Sequence, residues 1–161
     1  VVSESRKKYS NYVGLETENL FKKVVQERGN EVIKSSKYDD IYKHIDFYVN
    51  GFGVDVKGSR HLDCIWLETT NVLGNKGWLK GEADFIAFDI IELKSFSVYK
   101  TRDLLNFTKG ITETTESKYD FLKIYSRTNW GRKDQLIKCR YNDIKHLETQ
   151  IISYERNSNS L

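Results

Sequence analysis

No proline occurs in the 161 residues, which by itself decides little, and only two cysteines do. Cys64 and Cys139 match neither a disulfide framework nor a zinc-ligand spacing, so both are expected as free thiols. No apolar run approaches the length of a membrane span, and no charged segment followed by an apolar one opens the chain. The expectation is a soluble, cytoplasmic protein without a membrane partner. A G-x-S-x-G elbow, a C-x-x-C pair and a dinucleotide fingerprint are all missing. The glycines of 71–81 lack the Gly-Lys-Ser/Thr ending of a phosphate-binding P-loop. His44, His61 and His146 are scattered, with no ligand spacing between them, and read as surface or internally satisfied histidines.

What is present is an ordinary globular balance, 39% hydrophobic and 30% charged. The length suits one hydrophobic core, hence one domain over residues 1–161 with a frayed, polar segment at 1–10. The net charge of +3 is unevenly spread. Residues 1–93 carry 13 basic and 15 acidic side chains, a balance of −2; residues 94–161 carry 13 and 8, a balance of +5. A positive surface beside an acidic pocket suits a polyanion held by its backbone while acids bind a metal.

Leu15 to Arg28 reads as a helix whose buried stripe is Leu20, Phe21, Val24 and Val25, with Gly29 ending it. A short helical or irregular segment covers Lys34–Lys43. Two apolar-polar runs, 44–49 and 53–58, flank Asn50-Gly51 and predict a β-hairpin. Strands are expected at 63–69, 83–91 and 96–99, and residues 70–81 as an exposed loop or small hairpin. Thr101 is a plausible N-cap for a short helix, and the stretch from Leu136 to Ile144 repeats that strand-cap-helix grammar. The fold class is α/β, a mixed central sheet flanked by helices.

The chemistry lies in the hairpin. Asp46 stands between Ile45 and Phe47, and Asp55 between Val54 and Val56, although acids are depleted from strands. Alternation puts Asp55 and Lys57 on one face and Val54 and Val56 on the other. Magnesium takes oxygen ligands, commonly one or two carboxylates with water and substrate phosphate. Asp46 and Asp55 could supply two of these and the Val56 carbonyl a third, while Lys57 orients a water or neutralises charge on the phosphate. Glu18 and Glu16 lie on opposite edges of the first helix's stripe, and periodicity does not choose between them.

The order of a helix glutamate, Asp46, and then Asp55-Val56-Lys57 resembles the PD-(D/E)xK, or restriction-endonuclease-like, nuclease superfamily. The opening is most similar to archaeal-type Holliday junction resolvases and related phage nucleases. In these a helix Glu precedes a helix-ending Gly by about three turns, as Glu18 precedes Gly29. The resemblance therefore favours Glu18 over Glu16, and its motifs cover roughly residues 12–70. It implies catalytic roles for Glu18, Asp46, Asp55 and Lys57, with Mg²⁺ or Mn²⁺ held by Glu18, Asp46, Asp55 and Val56. Ile45 stands where the name-giving proline often does, and the insert near 70–82 is atypical of the smallest resolvases.

The implied activity is a metal-dependent deoxyribonuclease leaving 5′-phosphate and 3′-hydroxyl ends, an endonuclease that acts on branched DNA as a homodimer. The competing expectations are an exonuclease or RNA-directed nuclease of the same fold, and a binding module whose acids are structural. Glu68 is a further acid candidate, and Arg60, Lys76, Lys80, Lys94, Lys100 and Arg102 are phosphate contacts by charge. Trp78 either stacks on a base or anchors its loop. Arg127, Arg132 and Lys133 around Trp130 form a second basic patch or a solvated loop.

Overall fold

The computed structural model describes residues 3–127 and 131–154. Two sheets pack in one mixed α/β domain. The six-stranded sheet has the order β1-β2-β3-β5-β6-β10, built from β1 (Val32–Lys34), β2 (Phe47–Val49), β3 (Phe52–Arg60), β5 (Phe85–Ile90), β6 (Ser95–Lys100) and β10 (Glu148–Ser153). Its strands pair antiparallel except β3 with β5, which run parallel. A second sheet, absent from the sequence reading as a separate unit, has the order β4-β9-β8-β7. Its strands are β4 (Ile65–Thr70), β7 (Thr114–Thr115), β8 (Ile124–Ser126) and β9 (Gln135–Cys139).

The hairpin forms at the expected turn. Asn50 and Gly51 take φ of 49° and 86°, the left-handed pair that a two-residue turn requires, and Val49 pairs with Phe52. The first helix, α1 (Glu4–Glu27), is longer than the sequence reading placed it. Residues 4–10 hold Glu, Lys and Arg with no proline or glycine among them, so propensity extends the helix beyond its buried stripe. Phe21, Val24 and Val25 pack with Val54, Val56 and Phe47 in one core cluster. The helix stripe thus covers the valine face of β3 and not the face carrying Asp55 and Lys57.

The opposite face of the sheet builds the other cluster, in which Ile86, Phe88 and Ile90 meet Ile65, Leu67 and Ile137 of the second sheet. The crossover from β3 to β5 runs through β4, then an exposed turn closed by a Thr70–Lys76 bridge, as the expected loop or small hairpin, and then a 3₁₀ turn at Trp78–Lys80 that departs from it. Trp78 and Leu79 are buried in it because they plug the same core. Further helices are α2 (Lys37–Lys43), α3 (Thr101–Lys109) and α4 (Tyr141–Ile144). Lys100, not Thr101, is the cap residue of α3, and no side chain caps that end. Both cysteines are free. No helix among the described residues is long and apolar enough to cross a membrane.

Candidate active site

The β2–β3 ladder ends where Asp46 begins. The Asp46 N–H donates to the Val54 carbonyl at 2.9 Å, and Asp46 Oδ2 accepts the Val56 N–H at 2.7 Å. A side chain thus takes over from the backbone ladder and is held, buried, beside the middle of β3. Asp55 is 2% exposed and forms a 3.1 Å ion pair with Lys57, on the shared face that strand alternation predicts. Its Oδ2 has no hydrogen-bond partner. Burial, opposed by Lys57 and reinforced by the neighbouring Asp46, pushes the Asp55 carboxyl up to about 8.

Glu18 reaches the same place from α1. Gly58 allows the approach: a Cβ there would stand 2.7 Å from Thr17 Oγ1, so helix and strand meet closely one residue before Glu18. Burial and the Asp46 charge push the Glu18 carboxyl up to about 7, against the pull of Lys34, whose Nζ lies 3.6 Å away. Glu16 is exposed and hydrogen-bonds Tyr12 instead. The helix register therefore turns Glu18, and not Glu16, toward the aspartates.

Three further groups belong to this cluster. Asp40 of α2 is raised by burial and by Asp46, with Lys34 and Lys57 opposing. Its neighbour Asp39 is engaged elsewhere, accepting from Tyr48 at 2.7 Å and pairing with Lys43 at 3.1 Å. Ser36, whose hydroxyl accepts the Asp39 N–H, sets that register. The Ser-x-x-Asp spacing was the available signal, a capping pattern that fixes Asp39 and leaves Asp40 free to face Asp46. His44, at the left-handed end of α2 with φ 56°, is half-buried, and burial and Lys57 push its imidazole below the ordinary range. It therefore lies within electrostatic reach of Lys57 and Asp46. Glu68 is raised by burial, with Lys57 and Arg127 opposing and a hydrogen bond from the Trp78 backbone holding it.

The basic candidates do not form one patch. Arg60 is half-buried, within electrostatic reach of Asp55, and its guanidinium donates to the Gly58 carbonyl, so it is a neighbour of the acids and not an open phosphate contact. Trp78 is 8% exposed and lies under Lys57, whose Nζ is 5.0 Å from the ring centroid. Burial removes the face a base would stack on, so of the two roles the sequence left open it takes the anchor. Lys76, Lys80 and Arg102 share a cavity beside the 3₁₀ turn, and Lys100 joins Arg102 at a smaller one. Lys94 stands at the other end of the β5–β6 hairpin from Lys100, in a turn with φ 47°. In the second basic patch Arg127 is committed to the buried Asp134, with its Nε 2.8 Å from Oδ2, and Trp130 lies outside the described residues.

Among the described residues, no three carboxylate, imidazole or thiolate groups stand in a ready metal-ligand arrangement. The expected trio of Glu18, Asp46 and Asp55 is therefore not gathered as a ready ligand group, although a Mg²⁺ ion can bind through one or two carboxylates with water and phosphate completing its shell. The donor set fits such an ion: burial and the neighbouring Asp46 raise the carboxyls of Glu18 and Asp55, one of which has a buried oxygen lacking any partner, so positive charge is favoured there. No protein-family model, curated protein or solved structure matches the chain.

Proposed function

We propose that the chain is a metal-dependent deoxyribonuclease of the restriction-endonuclease-like kind, an endonuclease leaving 5′-phosphate and 3′-hydroxyl ends. The observation that carries this reading is the convergence of Glu18, Asp46 and Asp55 with Lys57 around one end of the hairpin. A bound Mg²⁺ or Mn²⁺ would supply Lewis-acid polarisation of the phosphate and a water of lowered pKa. Asp46 and Asp55 would hold it, with Glu18 and the Val56 carbonyl completing the protein share. Lys57, pinned between Asp55 and the Trp78 ring, has few rotamers open to it and presents its ammonium at a defined place beside the phosphate. Asp40, His44 and Lys34 border the cluster and set its charge.

DNA in the cytoplasm is the proposed substrate, and branched DNA the narrower choice. Paired incision of a four-way junction would require a homodimer, because two scissile phosphates need two sites related by symmetry. The test is cleavage of plasmid, linear and four-way-junction DNA by the purified chain in Mg²⁺ and in EDTA, with RNA alongside. Metal-dependent nicks that vanish in Lys57→Ala, with the protein still folded, are expected. Sedimentation of the free and DNA-bound protein reports the dimer.

A second reading is a nucleic-acid-binding or protein-interaction module. It is favoured by the internal satisfaction of two of the acids: Asp46 holds the Val56 N–H, and Asp55 holds Lys57. DNA binding without cleavage of any substrate, at every metal concentration, would select it.

A further inference from the structure

The second sheet buries one face and leaves the other open. Strand alternation sends Ile65, Leu67, Ile137 and Cys139 inward, where all four are buried. The residues between them point outward, and a sheet face open to water ordinarily reads polar. Here Trp66 stands opposite Lys138 in the β4–β9 register, and Tyr125 opposite Leu136 in the β8–β9 register. The rings of Trp66 and Tyr125 meet across β9 with centroids 5.7 Å apart. Phe121, just before β8, lays a third ring against the outward side chains of β9. All three aromatic residues are half-buried, so each keeps some surface in solvent.

Two cations lie on those rings. Lys138 Nζ is 4.5 Å from the Phe121 centroid and 5.8 Å from that of Trp66, and the exposed Arg140 guanidinium is 3.6 Å from Phe121. Neither forms an ion pair among the described residues, and Lys138 donates to the Lys118 carbonyl at 3.5 Å. The rings thus hold two charges in place without neutralising them. An acidic peptide would match the charge alone. Rings and uncompensated cations side by side match a ligand that carries both phosphates and flat π-faces. The strip also leads to the acid cluster. Glu68 follows Trp66 on the outward side of β4 and lies within electrostatic reach of Lys57.

We infer that the outward face of the second sheet is a track for single-stranded DNA, taking bases against the Trp66 and Tyr125 rings and phosphates at Lys138 and Arg140. It rests on the nuclease reading in one respect, that the strand continues past Glu68 to Lys57. The binding itself uses none of the acids. Duplex DNA offers its phosphates but keeps its bases stacked inside, so the face distinguishes the two forms.

The experiment titrates the full chain in EDTA with three fluorescein-labelled DNA probes: a short oligothymidylate, an abasic strand of equal length and charge, and a duplex of that length. Binding is read by anisotropy and by the ring resonances of Trp66 and Tyr125. The thymidylate strand is expected to shift those resonances and to bind at least about tenfold more tightly than either other probe, a difference of about 1.4 kcal/mol. Trp66→Leu should remove most of that preference, because the abasic strand never had a base to stack. Lys138→Gln with Arg140→Gln should weaken every probe and reduce the salt slope of strand binding by about 1.4, about 0.7 for each cation. Circular dichroism checks the fold, and if Trp66→Leu fails to fold, Tyr125→Leu provides the same comparison. No binding, equal binding of thymidylate and abasic strands, tighter binding of the duplex, or unchanged affinity in either folded variant would overturn the inference. A chain that prefers the thymidylate strand in EDTA but cuts no DNA in Mg²⁺ overturns the nuclease reading alone. One that cuts but shows no such preference overturns this one alone.

Discussion

The Asp46 carboxylate accepts the Val56 N–H at 2.7 Å, so the acid just before β2 is tied to the residue standing between Asp55 and Lys57. The bond positions two carboxylates and an ammonium through one contact. It also gives Asp46 a structural duty separable from its charge. An asparagine in its place could still accept through the amide oxygen, whereas an alanine leaves a buried backbone donor unpaired. Asp46→Asn is therefore expected to unfold in urea near the parent midpoint, and Asp46→Ala to lose about 1–3 kcal/mol. On the proposed chemistry both lose metal-dependent cleavage. Equal stability of the two variants would show that the Val56 N–H finds another acceptor.

The raised carboxyl of Asp55 predicts how stability follows pH. Its folded value, about 8, lies above the ordinary 3.8, so the folded protein binds a proton that the unfolded chain releases. The contribution is fully present below about pH 4 and is lost as pH rises toward 8. Glu18, at about 7, acts in the same direction over the lower part of that window. Thermal melts of metal-free protein should therefore fall between pH 5 and pH 8, where the ordinary carboxylates are already ionised. Asp55→Asn should flatten the slope, and Mg²⁺ should raise the melting temperature more at pH 8 than at pH 5, because it favours the ionised carboxylates. A slope unchanged in Asp55→Asn would assign it to other groups.

The hairpin and the first helix's stripe were legible because both write their periods plainly. Asn50-Gly51 sets the turn, Val54 and Val56 alternate with Asp55 and Lys57, and Phe21, Val24 and Val25 recur on one helix face. The second sheet was not legible, because β7 and β8 are only two and three residues long and are held by pairing instead of periodicity. Strand β1 escaped for the same reason: only Val32 of its three residues is buried. Trp78 was undecidable from sequence, since its glycine-rich neighbours predict exposure while its partners Phe88 and Lys57 come from other strands. Asp40 and His44 join the acids through the placement of α2, which no local pattern encodes beyond its cap.

Close approach of α1 and β3 at Gly58 provides a test at a distance from the chemistry. A methyl group there would meet Thr17 Oγ1 at 2.7 Å and its Cβ at 3.2 Å, and Thr17 is itself buried and bonded to the Val13 carbonyl. Gly58→Ala must displace the helix or the strand. It is expected to cost about 1–3 kcal/mol in urea unfolding and to shift Glu18 from Asp46. The second change would be read as a weaker response to Mg²⁺. Gly58→Ala with Thr17→Ser removes the methyl that stands 3.3 Å from the new Cβ but keeps the hydroxyl, so only partial recovery is expected. Full stability in Gly58→Ala alone would mean that the helix slides freely over β3.

The helix acid separates a specific ligand from a general negative field. Glu18 lies within reach of Asp46 and pairs with Lys34 at 3.6 Å, whereas Glu16 is exposed and contacts Tyr12. Glutamine preserves the size of either side chain and removes only its charge, so packing does not confuse the comparison. Glu18→Gln should slow cleavage and weaken the response to metal, and Glu16→Gln should leave both nearly unchanged. Removing the Glu18 charge also removes a carboxylate that burial makes costly to ionise, so the metal-free protein should hold its stability or gain slightly at pH 8. The comparison belongs across a Mg²⁺ titration, because excess metal refills a weakened site and hides the defect. Equal losses in the two variants would reduce the helix's part to long-range charge. A loss confined to Glu16→Gln would contradict the placement of Glu18 beside Asp46.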